Sequence, residues 1–325
     1  MQKPLIKAAL PPTSVSMSLN TAALFGRVSR SRDQPILPIN DSALTKDGKP
    51  AFYCVHSVSG VAGTDFVHLA QRLDPAVRFF GIQAPLSEMR KADFGGSIES
   101  IAKHYTDALM EFQPQGVIHL GGYCVGGVIA LEMARLLTNS GRQVGLLAVI
   151  DGAPENTGSS MSRWDPRYWL DVISNLPNWF SHADLVRSKS FRSLLTSLAT
   201  NASAIGWGVL GLRRGEKLTG GYSMDGIMDL SIYPSEHRLF INRLYSALFS
   251  YLPKSYDGDI VVYEAKTAPL LYSPQISRTW AQFAPQSQVV RIVGTHIGIM
   301  REPYVERVAS DLERRIKEWR GAKHP

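Results

Sequence analysis

The sequence predicts an α/β fold, with a largely parallel sheet covered by helices on both faces. Two observations carry this. From Ala51 onward, short apolar runs alternate with stretches of helical spacing, which is the rhythm of β-α-β units. The runs are apolar almost throughout rather than alternating with polar residues, as strands buried on both faces require.

The elements follow in order. Ala51 to Val55 reads as a strand, Asp65 to Arg72 as a helix and Val77 to Ile82 as a second strand. Ser97 is a cap residue ahead of Ile98, Ile101, Ala102, Tyr105, Ala108 and Leu109, whose spacing marks one helical face. Gly116 to Gly122 gives a buried strand, Gly126 to Ser140 a helix closed by Gly141, and Val144 to Ile150 the next strand. Strands at Asp259 to Tyr263 and Val289 to Val293 precede an amphipathic helix from Tyr304 to Trp319. Between Gly152 and Asp257 the strand rhythm stops. Helix-like patterns around Tyr168 to Phe180, Ser190 to Ala204 and Glu236 to Tyr251 suggest a helical insertion at about 155–250. It carries Trp164, Trp169, Trp179 and Trp207, read as the insertion's own core rather than the wall of a cavity.

Composition narrows the function classes. With 44% hydrophobic and 19% charged residues, the chain has enough apolar material for a core, which excludes wholesale disorder, collagen and coiled coil. The apolar run from Val144 meets Asp151 after Ile150, far short of a membrane span. Cys54 and Cys124 cannot make a disulfide framework, and no CxxC metal spacing is present, so a reducing, cytoplasmic setting is expected with no metal and no bound cofactor. The net charge of +7 is concentrated at the start, where Lys3, Lys7, Arg27, Arg30 and Arg32 face only Asp33. With no arginine stripe and no phosphate-binding loop, that charge reads as a flexible basic tail or linker over residues 1–48, not a nucleic-acid site. The same composition suits a transit peptide, although Pro11 and Pro12 interrupt any signal-peptide core. The domain proper is expected over 49–320.

The sharpest chemical signal is Gly122-Tyr123-Cys124-Val125-Gly126, between an apolar strand and a helix. This is the G-x-S-x-G nucleophile elbow with cysteine in the serine position: a tight strand-to-helix turn lifts one side chain above the sheet, and small flanking residues let neighbouring backbone pass beneath. The helix N-terminus favours a thiolate and a developing oxyanion, with the Val125 N–H as one donor. Chain order in such sites is nucleophile, acid, histidine. Asp151 ends the strand after the nucleophile helix and is the preferred acid over Glu264, whose plausible partner is Lys266, and over Asp259 at the wrong end of its strand. His296, after the last strand, is the expected base. His119 lies inside a strand and His68 and His104 lie in helical patterns, whereas His56 ends the first strand and is expected to shape the adjacent loop. That loop, near Val58 and Ser59, is the expected source of a second oxyanion donor.

From about Lys49 to Ile316 the chain resembles the thioesterase domains that close polyketide and nonribosomal peptide synthetases. The resemblance rests on Phe52 to Gly60, Gly121 to Gly127, Ile150-Asp151, Tyr251-Leu252-Pro253, Tyr256-Asp257-Gly258, Trp280, and Gly294-Thr295-His296 followed by Met300 and Glu302-Pro303. Pro35 to Asn40 is similar to the linker preceding such domains, and the insertion matches the position of the family's helical lid. The resemblance implies an α/β-hydrolase fold and an acyl chain delivered on the phosphopantetheine thioester of a carrier protein, then released to water or an internal nucleophile. Cys124 departs from the family's usual serine. A cysteine retains the acyl group as a thioester, which also suits transfer to a second carrier thiol or an amine. The beginning at Met1 without a complete carrier module fits an enzyme acting in trans as well as an excised domain. Other readings are a non-catalytic relative that binds an acyl ligand or synthetase subunit, and a cysteine hydrolase of free lactones or esters.

Overall fold

The computed structural model describes residues 32–45, 48–153, 233–267 and 276–323. The tail before residue 32, the predicted helices near 168–180 and 190–204, and the four insertion tryptophans lie outside the described residues.

Seven strands form one sheet: β1 (Ile36–Pro38), β2 (Ala51–Val55), β3 (Arg78–Ile82), β4 (Ile118–Tyr123), β5 (Val144–Ile150), β6 (Ile260–Thr267) and β7 (Gln288–Thr295). Their order is β1-β3-β2-β4-β5-β6-β7, with β1 antiparallel to β3 and all other pairs parallel. The predicted α/β class is the observed one. Every residue of β2 and β4 is buried, as continuous apolar strands between two helical layers must be.

One layer holds α1 (Ala62–Asp65), α2 (Val67–Arg72) and the long C-terminal helix α8 (Val305–Lys323). The other holds α3 (Leu86–Met89), α4 (Ile98–Phe112), α5 (Val125–Asn139) and α6 (Ser235–Ser250), with α7 (Ile276–Phe283) between β6 and β7 in sequence. Ser97 caps α4 by accepting the Ser100 N–H at 3.0 Å, and Ile98, Ile101, Ala102, Tyr105 and Leu109 are buried as their spacing predicts; Ala108 is only half-buried. Helix α5, which follows Cys124, is not amphipathic over its first ten residues, all of which are buried. Its own Glu132 accepts from Arg135 of the same helix at 2.8 Å and from the Tyr251 hydroxyl at 2.9 Å, and the second bond ties the helix to the chain just after α6.

Two expectations need correction. The linker-like stretch around Pro35 to Asn40 belongs to the sheet: Ile36 to Pro38 pair with β3, a 3-10 turn spans Asp41–Leu44, and the Asn40 amide bonds Val77, Phe79 and Ala43. Proline disguised this strand, because proline is tolerated at a sheet edge where its missing N–H faces outward. The helix read at Asp65 to Arg72 is broken at Phe66, since the Asp65 carboxylate turns back into the preceding loop. No helix among the described residues is long and apolar enough to cross a membrane.

Candidate functional site

The carboxyl ends of β4, β5 and β7 deliver Cys124, Asp151 and His296 to one edge of the sheet. Cys124 sits at φ 58° and ψ −126°, a region costly for a side-chain-bearing residue, and Asp151 also has positive φ, at 46°. Both strained residues are held by the neighbouring strand's end. The Cys124 N–H donates to Ile150 at 2.9 Å, and the Asp151 N–H donates to Tyr263 at 2.8 Å. Glycine is required where backbones cross: a Cβ at Gly126 would lie 2.3 Å from the His56 carbonyl oxygen, and one at Gly152 would lie 2.0 Å from that of Cys124.

Asp151 is buried, and its two oxygens are both used. Oδ1 accepts the Ala265 N–H at 2.7 Å, and Oδ2 lies 2.8 Å from His296 Nδ1. A carboxylate accepts, so Nδ1 carries the proton and Nε2 is left for the thiol. The turn after Asp151 is pinned by Trp280, whose Nε1 donates to the Gly152 carbonyl at 2.7 Å. Burial opposes charge on the His296 ring, but the charge and hydrogen bond of Cys124 and the bond and charge of Asp151 outweigh it and hold the imidazolium well above its usual range. Cys124 is half-buried, whereas Cys54 is sealed in the core, where burial pushes its thiol well up. Glu264 does not reach His296. It accepts from Ser277 at 3.2 Å and from Arg291 at 3.0 Å, so its partner is Arg291 and not Lys266.

The loop after β2 lies beside the elbow because β2 and β4 are neighbours, with Val55 opposite Gly122. His56 is fully buried: Nδ1 donates to the Ser57 carbonyl, and Nε2 accepts from the Tyr105 hydroxyl at 2.7 Å. Burial pushes its pKa down to about 4, so it stays neutral and braces the loop, as its place in the sequence suggests. The Ser59 N–H donates to Ser57 Oγ at 3.2 Å, which engages one of the two expected loop donors within the loop and leaves Val58 as the candidate.

Three contributors escaped the motif reading. Asp65 accepts the Ser57 N–H at 2.6 Å and the Ser59 hydroxyl at 3.3 Å on each oxygen. Burial pushes its carboxyl up to about 6, against the lowering effect of those bonds and of His296. The available signal was an acid among residues 62–69, of which Ala62, Gly63, Phe66, Val67 and Leu69 are buried. His237 of α6 holds the Ser59 carbonyl through Nε2, at 2.5 Å, tying the last helix of the insertion to the same loop. Tyr123, the variable residue before the nucleophile, stacks against His296. His119 packs against Trp319, and His104 against Phe94, both away from the triad. Among the described residues, no three or more His, Cys, Asp or Glu side chains gather as a metal site needs.

A thiol at a strained elbow, an imidazole beside it and a carboxylate fixing the imidazole tautomer form an arrangement suited to acyl transfer. Comparison with known proteins finds relatives among peptide and polyketide synthases. The dimodular nonribosomal peptide synthase of Bacillus subtilis (strain 168) is 22% identical over 262 residues, covering 81% of this chain and 10% of that protein. The polyketide synthase PksR of the same organism is 35% identical over 117 residues, covering 36% of this chain and 4% of that protein. The chain thus spans a tenth or less of these relatives. The structure of the NocB thioesterase domain in covalent complex with a fluorophosphonate nocardicin G analog superposes with a TM-score of 0.53 at 20% identity, covering 86% of this chain and 99% of that one, and supports the α/β-hydrolase fold. The thioesterase domain model matches residues 50–316, a span that takes in the elbow, the acid turn and the histidine loop, and the chain belongs to that family.

Proposed function

We propose that this chain releases an acyl group carried as a phosphopantetheine thioester on a carrier protein of nonribosomal peptide or polyketide synthesis, with Cys124 as nucleophile. The observation that carries the reading is the Cys124–His296–Asp151 arrangement, in which the carboxylate fixes His296 Nδ1 at 2.8 Å and the thiol faces the other side of the ring. The Cys124 thiolate attacks the thioester carbonyl carbon, and the N–H groups of Val125 and Val58 hold the resulting oxyanion. Collapse breaks the bond to the pantetheine sulfur, which takes the proton from His296, and leaves the acyl group on Cys124. Water, or a nucleophile within the chain, then loses a proton to His296 and attacks the new thioester. Collapse expels the Cys124 thiolate and gives a free acid or a ring.

A second outcome is favoured by the cysteine itself. An acyl-cysteine retains the activation that an acyl-serine would lose, so transfer to a second carrier thiol or to an amine is energetically level or downhill. One experiment separates these readings. The protein is mixed with acyl-loaded carrier, and the intact masses of both are followed with water alone, with an empty second carrier and with an amine. A Cys124 adduct discharged by water or by cyclisation supports release, and one passed to the second carrier or amine makes the chain a transferase. An unmodified protein and unchanged carrier would overturn both and move the reading to a non-catalytic binding protein.

A further inference from the structure

The loop between β2 and α1 is held by one carboxylate. The Asp65 oxygens gather the Ser57 N–H and the Ser59 hydroxyl; Ser59 Oγ in turn accepts the Val61 N–H at 3.1 Å, and Ser57 Oγ bonds Ser59 Oγ at 3.2 Å. The N–H groups of Ser57, Ser59 and Val61 therefore all lead to Asp65, the first directly and the others through the serine hydroxyls. None of the ion pairs among the described residues includes it. A carboxylate partly withdrawn from water without an ion-pair partner is costly unless hydrogen bonds compensate, and here the compensating donors all come from this loop.

The loop's position gives that clamp a purpose. The His56 carbonyl lies against Gly126 in the first turn of α5, so the backbone two residues further on flanks Cys124. The His296 charge reaches Asp65 and the Asp65 charge reaches Tyr123, so the carboxylate lies within electrostatic range of the triad. With the Ser59 N–H engaged by Ser57, Val58 supplies the remaining donor on this side.

We propose that Asp65 is a positioning residue for acyl transfer: by accepting the Ser57 N–H and the Ser59 hydroxyl, its carboxylate holds the Val58 N–H toward the carbonyl oxygen of a thioester at Cys124. The inference rests on the acyl-transfer reading above. It separates two reactions of the same thiol. Acylation by a thioester builds an oxyanion and needs the loop; alkylation by iodoacetamide displaces iodide from a saturated carbon and builds none.

The test measures both rates by intact mass on the full chain, using an acyl-pantetheine thioester and iodoacetamide. Asp65→Ala is expected to lower Cys124 acylation by about 10²-fold, the usual loss for one oxyanion donor. Alkylation is expected to stay within about threefold, because it reports only the thiolate. Asp65→Asn, which keeps an acceptor for the Ser57 N–H, is expected to recover most of the acylation rate. Unchanged acylation in Asp65→Ala, or acylation and alkylation falling together, would overturn the assignment. Should Asp65→Ala not fold, Ser59→Ala removes one tie and is read by the same pair of rates: slowed acylation with intact alkylation supports the assignment, and unchanged acylation overturns it. A wild type that is alkylated but never acylated overturns the acyl-transfer reading itself, and this inference with it.

Discussion

The His296 ring lies against the Tyr123 ring, with centroids 5.0 Å and planes 23° apart, and the Tyr123 hydroxyl donates to the His296 carbonyl at 2.8 Å. The residue before Cys124 therefore carries the His296 ring, so the β4 elbow sets the register of a loop from the far edge of the sheet. Tyr123→Phe keeps the ring and loses the bond, with an expected cost of about 1 kcal/mol in urea unfolding and a small loss of kcat. Tyr123→Ala also removes the platform and is expected to lower kcat by about tenfold more with little change in KM, as loss of base orientation does. Equal kinetics for the two variants would show that the ring plays no part.

Asp151 and Glu264 make opposite predictions. Both are buried acids on neighbouring strands, Asp151 just past the end of β5 and Glu264 within β6, but only Asp151 touches His296, while Glu264 is spent on Arg291 and Ser277. Asp151→Asn is expected to lower kcat/KM by about 10²- to 10⁴-fold, because the amide no longer enforces the Nδ1–H tautomer. Glu264→Gln is expected to retain activity within about threefold, since it sits outside the proton path. A reversed ranking in steady-state thioester cleavage would assign the acid to Glu264.

The contrast between these residues and Asp65 shows what the sequence made legible. Cys124 and Asp151 each follow a buried apolar strand and His296 follows the edge strand β7, and a parallel sheet brings all such ends to one edge, so pattern and chain order sufficed to pick them. Strand β1 escaped because three residues with a proline carry no period, and its existence depends on β3 offering a free edge. Asp65, His237 and Tyr123 escaped for a different reason. Each acts through a contact between segments distant in sequence or through a backbone turn, and neither leaves a spacing to read.

The raised Asp65 carboxyl predicts a pH-dependent cost to stability. The groups whose charges reach it or feel it are His296, Tyr123, Tyr233 and Cys54. An unfolded aspartate releases its proton near pH 4, whereas in the folded chain the carboxyl holds it to about 6. The folded state thus binds more protons in that window, and this group's stabilising contribution, full below pH 4, is lost as pH rises to about 6. Asp65→Asn has no such loss. Its Tm relative to wild type is expected to rise between pH 4 and pH 7 and then level off. A flat difference across that range would mean that burial does not raise the Asp65 carboxyl beyond what its hydrogen bonds offset.

The His296 imidazolium offers the sharpest test of how the three groups act together. Against the opposing effect of burial, its pKa is raised by the charge and bond of Cys124 together with the bond and charge of Asp151. Removing the sulfur should therefore bring the titration down. In ring-proton NMR, His296 of Cys124→Ala is expected to lose its proton at a distinctly lower pH than in wild type, and Asp151→Asn to move in the same direction. The linkage has the same sign. A histidine whose folded pKa exceeds its unfolded value of about 6.5 adds stability that is complete below that pH and lost as pH rises through the folded value. The stability gap between wild type and Cys124→Ala, corrected for the lost thiol at high pH, is thus expected to widen toward pH 6. A His296 titration that ignores Cys124→Ala would mean that thiol and ring do not form a charge pair, and the proposed attack would then require His296 to remove the thiol proton as the substrate reacts.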